Sequence, residues 1–158
     1  MHGKRVSIIH TEIVKDGSFI YQGRGLQSPE DAAEMARQFV EGSPTEKLYV
    51  ACLDNKGEPV SLELVSVGTS DYALVGMKEV YRSAVMSNST RIIAFHNHTS
   101  GLVKPSREDI AVTERMRKAG EILGVELQDH IIIGDSTSFY SFCGAGLLKG
   151  GSCYAMVR

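Results

Sequence analysis

The run Ile92-Ile93-Ala94-Phe95 passes without a break into His96-Asn97-His98, a loop with Gly101 follows, and residues 106–123 then carry apolar side chains at helical spacing. That order, from apolar strand through loop to helix, constrains the fold more than any other feature of the chain. An uninterrupted apolar run of this length reads as a short buried strand. Gly124 closes the helix, and a second apolar run at 126–133, ended by Gly134-Asp135, reads as another strand.

The other elements arrange themselves around this unit. Residues 48–53 and 59–67 flank Asp54-Asn55-Lys56-Gly57, whose Asn and Gly suit a turn, so an antiparallel hairpin is expected there, at the centre of the sheet. Ser28-Pro29-Glu30-Asp31 reads as a capping box with proline at the first helical position, opening a helix that stops near Gly42. After a loop at 68–71, residues 77–86 have helical spacing, and 138–142 form a last strand before a glycine-rich tail. At the other end, 6–14 and 19–21 flank Lys15-Asp16-Gly17 and predict a two-stranded hairpin, placed to cover a sheet edge or to pair with a second copy. The expected organisation is an N-terminal hairpin extension over 1–27 packed on the domain, one α/β domain of the α+β type over 28–149, and a tail over 150–158. Its sheet should be mixed and largely antiparallel, with flanking helices.

Charge and composition exclude several functions. The 158 residues include 42% hydrophobic and 23% charged side chains, enough to build a core without disulfide staples and too apolar for a disordered tail. With 17 Lys and Arg against 19 Asp and Glu, the net charge of -2 offers no footprint for nucleic acid. The densest basic stretch, Lys104, Arg107, Arg115, Arg117 and Lys118, is interleaved with Glu108, Asp109 and Glu114, and reads as a solvated helix face. Cys52, Cys143 and Cys153 contain no Cys-x-x-Cys pair, which argues for a reducing compartment. No apolar window is long enough for a membrane span and no signal peptide is evident, so a cytoplasmic protein is expected.

Two histidines at i and i+2 on a strand project from the same face, which is how a strand offers two imidazoles to one ion. Asp109 supplies the independent clue, because it shares the core-facing stripe of its helix with Val112, Met116, Ala119 and Leu123. A carboxylate there is costly unless it is paired, hydrogen-bonded or bound to a metal. Helix capping by Ser106 and Asp109 explains the acid alone. A zinc site of His96, His98 and Asp109 explains all three residues and leaves one coordination position open.

His96-x-His98, seven residues, then Ser106-x-x-Asp109 resembles the JAMM signature of the JAB/MPN metallopeptidase superfamily. Within it, His-Asn-His-x-Ser-Gly, then Pro-Ser-Arg-Glu-Asp, with Leu127-Gln128-Asp129-His130-Ile131-Ile132-Ile133-Gly134 downstream, closely resembles the RadC family over roughly 28–149. Thr99 stands where such proteins usually carry proline, and Val75-Gly76-Met77 replaces their usual Val-His-Pro. Their longer members also have an N-terminal helix-hairpin-helix region that these residues do not match, so the family's historical repair label gives little reason to expect DNA binding.

The resemblance implies a single JAB/MPN-like domain and a zinc-dependent peptidase or isopeptidase acting on a peptide or protein substrate. It assigns the general base to Glu46, which shares strand parity with Leu48, Val50 and Cys52; Glu63 and Glu79 are rivals. Ser106 would donate a hydrogen bond to the developing oxyanion. Asp129 and His130 would orient a ligand from behind, although a buried histidine with a structural hydrogen bond is the simpler reading of His130. The competing function is a JAB-fold interaction module without turnover, and phosphodiester cleavage is the least supported.

Overall fold

The computed structural model describes residues 3–22, 25–68, 75–148 and 153–154. Among them are the helices α1 (Pro29–Val40), α2 (Met77–Met86) and α3 (Arg107–Leu123), and the strands β1 (Lys47–Leu53), β2 (Pro59–Val67), β3 (Arg91–Asn97), β4 (Glu126–Ile133) and β5 (Phe139–Ser141). The strands form one sheet in the order β2-β1-β3-β4-β5. Strand β1 runs antiparallel to β2 and β3, β3 is parallel to β4, and β4 is antiparallel to β5. The sheet is therefore mixed and largely antiparallel, as the sequence predicts.

Its centre is elsewhere than expected. The β1–β2 hairpin forms, but β2 lies at the outer edge and β3 occupies the middle. Burial explains the difference, since Ile92 to Asn97 are all buried whereas Val60, Leu64 and Val67 of β2 are exposed. A strand with no polar alternation takes the position covered on both faces.

Side-chain alternation divides the core in two. Leu48, Val50, Cys52, Ile92, Ala94 and Ile132 pack with α2 and α3 residues such as Val80, Tyr81, Val112 and Met116. Ala51, Leu53, Ile93, Phe95, Ile131 and Ile133 pack with α1 through Ala32, Met35, Ala36 and Val40. His96 and His98 share the parity of Ile92 and Ala94, so strand geometry aims them at the α3 side.

Helix ends follow the sequence closely. Ser28 Oγ accepts from the Asp31 N–H at 3.1 Å, but Asp31 Oδ2 reaches one residue beyond the cap, accepting from the Gln27 N–H at 2.9 Å. Gly124 ends α3 at φ 69°, in the left-handed region that glycine adopts without a side-chain clash. On the outer face of α3, Arg117 pairs with Glu114 and Glu121, and Lys118 with Glu114, so this part of the basic stretch is solvated as expected, whereas Asp109 within it is buried.

The predicted N-terminal hairpin does not form, because residues 3–22 contain no strand. Val6, Ile8, Ile9 and Val14 lie exposed and bury nothing, and a two-stranded hairpin without a packed face is marginal in water. Contact with the domain comes through Phe19, edge-on to Phe39 at 4.9 Å between centroids, and Tyr21, which packs against the core on the α1 side. Residues 69–71 of the predicted loop and all of the predicted tail except Cys153 and Tyr154 lie outside the described residues. Among the described residues, no helix is long and apolar enough to cross a membrane.

Candidate metal centre

Strand β3 ends at Asn97, and the chain turns through a loop before α3 begins after Ser106. Gly101 makes that turn at φ 74°, and a side chain there would collide with the Asp135 carboxylate. His98 Nδ1–H donates to the Leu102 carbonyl at 2.8 Å, which leaves its Nε2 facing inward. The Nε2 atoms of His96 and His98 stand 3.1 Å apart. His96 is fully buried and His98 is partly exposed, so the site opens on one side.

Asp109, the third residue of α3, completes the cluster. Its Oδ2 lies 3.1 Å from His98 Nε2 and accepts from the Ser106 N–H at 2.7 Å, while its Oδ1 lies 3.2 Å from His96 Nε2. Ser106 Oγ in turn accepts from the Asp109 N–H at 3.0 Å, so the capping box is real. The cap and the histidine cluster, which the sequence presents as competing explanations of Asp109, therefore share one carboxylate. Leu123, expected on the same stripe, is exposed instead.

Burial alone would push the Asp109 carboxyl up, but the facing imidazoles and the Ser106 N–H hold it well below the usual carboxylate range. Burial holds His96 below the ordinary histidine value, whereas the contact with Asp109 raises His98. Asp109 Oδ1 is buried and has no hydrogen bond of good geometry among the described residues, although His96 Nε2 stands beside it.

Such an arrangement suits a cation. One ligand atom from each of His96, His98 and Asp109 lies within 4.8 Å of the others, so these residues could hold a metal ion. Tetrahedral zinc with ligands at about 2.0–2.1 Å sets neighbouring ligand atoms about 3.3 Å apart. The two Nε2 atoms, 3.1 Å apart, are already close to that spacing, and each faces a different oxygen of the Asp109 carboxylate at 3.1–3.2 Å.

Behind the cluster, Asp129 and His130 separate. His130 points to the α3 side, with Nε2 2.8 Å from His96 Nδ1 and Nδ1 2.6 Å from Thr113 Oγ1. Burial holds it well below the ordinary histidine value. Asp129 does not reach the cluster, because neighbouring residues on a strand face opposite sides. It accepts instead from the N–H groups of His130 and Cys143 and the hydroxyls of Ser141 and Tyr154, at 2.6–2.9 Å. Thr113 was not singled out from the sequence; its signal is its place one turn after Asp109 on the same helix face.

Asp129 therefore has a measurable structural job. Asp129→Ala should lower stability by about 2–6 kcal/mol, at about 1–3 kcal/mol for each of the two backbone N–H groups that cannot turn away. Asp129→Asn should cost less, since the Ser141 and Tyr154 hydroxyls can rotate to accept from the amide. Denaturant midpoints of the two variants check this, and equal losses would refute it.

Glu46 lies just before β1. Leu48 pairs with His96 across the β1–β3 ladder, and continuing that register sets residue 46 level with His98. Glu46 is half-buried, and its charge favours the protonated form of both His96 and His98, against the larger effect of burial at His96. Asn97 grips the backbone on either side of it: its Oδ1 accepts from the Lys47 N–H at 3.0 Å, and its Nδ2 donates to the Thr45 carbonyl at 3.1 Å. The rivals lie against α2. Glu63 is bound by Arg82 and Ser83, and Glu79 folds over Gly76 at the start of α2.

Fold and site together define a class: a single α/β domain in which a strand end and the helix after it bring two imidazoles and a carboxylate to one point. The chain belongs to the RadC-like JAB domain family, whose family model matches residues 26–147. A UPF0758 protein of Shouchella clausii is 42% identical over 110 residues, covering 70% of this chain and 48% of that protein. One from Methanosarcina barkeri is 41% identical over 112 residues, covering 71% and 49%, and one from Clostridium kluyveri is 40% identical over 121 residues, covering 77% and 53%. The chain thus spans about half the length of the curated relatives it matches.

Proposed function

We propose that the protein is a zinc-dependent hydrolase of the JAMM type that cleaves a peptide or isopeptide bond, with His96, His98 and Asp109 holding the metal. The convergence of two imidazole nitrogens and the two oxygens of a buried carboxylate at 3.1–3.2 Å is the observation that carries this reading. Zinc held by His96, His98 and Asp109 would supply a Lewis acid and make hydroxide available from water near neutral pH. Glu46, level with His98 at the open side, takes a proton from the attacking water and returns it to the leaving amine. Ser106 Oγ accepts from the Asp109 N–H, which leaves its own proton to donate to the developing oxyanion. Asn97 holds the segment that carries Glu46. The partner is a peptide or protein substrate. The three free cysteines accord with a cytoplasmic setting.

The test is a panel of fluorogenic peptides and ubiquitin-like isopeptide conjugates, assayed with the zinc-loaded chain, after chelation and after zinc is restored. Hydrolysis should disappear with the chelator and return with zinc. A folded chain that takes up no zinc when zinc is supplied would overturn the reading and leave an interaction module.

A further inference from the structure

The hydrogen bonds behind His96 run in one direction, and we propose that Thr113 and His130 form a positioning pair that fixes which nitrogen of His96 faces the site. This rests on the metal-site reading and adds to it a way of preparing His96 before any ion arrives.

Counting donors gives the direction. Thr113 Oγ1 lies 2.6 Å from the Asp109 carbonyl oxygen, which has no proton to give, so the single hydroxyl proton of Thr113 is committed there. The same Oγ1 lies 2.6 Å from His130 Nδ1 and can therefore only accept, which places a proton on that nitrogen. His130 is wholly buried, with its ring stacked on Phe142. Its two nitrogens meet a hydroxyl and an imidazole rather than a carboxylate, so the ring is neutral and carries one N–H. His130 Nε2 is then an acceptor, and the proton of the 2.8 Å contact belongs to His96 Nδ1. His96 is left with a lone pair on Nε2, the atom 3.1 Å from His98 Nε2 and 3.2 Å from Asp109 Oδ1.

The chain of bonds starts on the backbone oxygen of Asp109 and ends beside the carboxylate of the same residue. The opposite polarity fails at its first step, because a Thr113 proton turned toward His130 sets two lone-pair oxygens against each other at 2.6 Å. Thr113 and His130 therefore act through His96, as the partners behind metal-binding histidines do.

Long-range 1H–15N NMR of the metal-free protein reads which ring nitrogen carries the proton, and zinc titration against a competing chelator reads affinity. In the wild type the proton should sit on Nδ1 of both His96 and His130. Thr113→Val keeps the shape and removes the hydroxyl; it should move the His96 proton to Nε2 and weaken zinc binding about 10- to 100-fold. Thr113→Ser should restore both. A wild-type His96 protonated on Nε2 overturns the proposal and needs no variant to fold. So does a folded Thr113→Val with the wild-type proton positions and zinc affinity. A wild type with the expected protons that takes up no zinc supports the positioning pair and overturns the metal reading, so the two failures are distinguishable.

Discussion

Asp109→Asn is expected to strip zinc from the protein while leaving helix α3 capped. Asparagine keeps one oxygen that can accept from the Ser106 N–H, the bond that Asp109 Oδ2 now receives at 2.7 Å. It loses the anionic oxygen facing His96, together with the charge that a divalent ion needs from this site. Zinc affinity should fall by more than the roughly 10- to 100-fold typical of a residue behind a ligand. Asp109→Ala removes the cap as well, at a further cost of about 1 kcal/mol in stability. Elemental mass spectrometry of the native protein beside the two variants, with a thermal melt of each, separates the roles. If Asp109→Asn keeps its zinc, the carboxylate is only a cap.

Glu46→Gln is expected to leave zinc in place and lower turnover by about 10²- to 10⁴-fold, the usual contribution of a positioned general base. The amide keeps the size of the side chain and cannot take a proton. Glu63→Gln and Glu79→Gln are the comparisons, because the Glu63 carboxylate is bound by Arg82 and Ser83 and that of Glu79 lies over Gly76 at the start of α2. Equal turnover in Glu46→Gln and the wild type would remove Glu46 from the mechanism.

Much of this molecule is legible in its sequence where local chemistry decides. The Ser106 cap, the Gly124 stop and the long runs of β3 and β4 lie where spacing and turn residues put them. Family resemblance brings His96, His98 and Asp109 together, and so do the strand parity of the two histidines and the core-facing helical stripe of Asp109. Legibility ends where a partner decides the outcome. The run at 6–14 has the composition of a strand but nothing to pair with, and it stays exposed. The β1–β2 hairpin forms, yet its place at the edge depends on what β3 pairs with. Asp129 and His130, neighbours in sequence, divide between two faces of the sheet, so only one of them could reach the cluster. Thr113 offers no signal beyond its place one turn after Asp109, because a threonine in a helix is ordinary until the carbonyl before it and the histidine across from it are in place.

Asn97 joins two pieces of the chain that are far apart in sequence. Everything that gathers around the proposed ion, from His96 to His130, comes from one contiguous stretch of strand, helix and strand. Glu46 arrives from the neighbouring hairpin and is tied to that stretch by a side-chain amide. On the proposed function, holding an ion and turning over a substrate would therefore be separately heritable. A descendant could discard the second by changing a single loop, without disturbing the first.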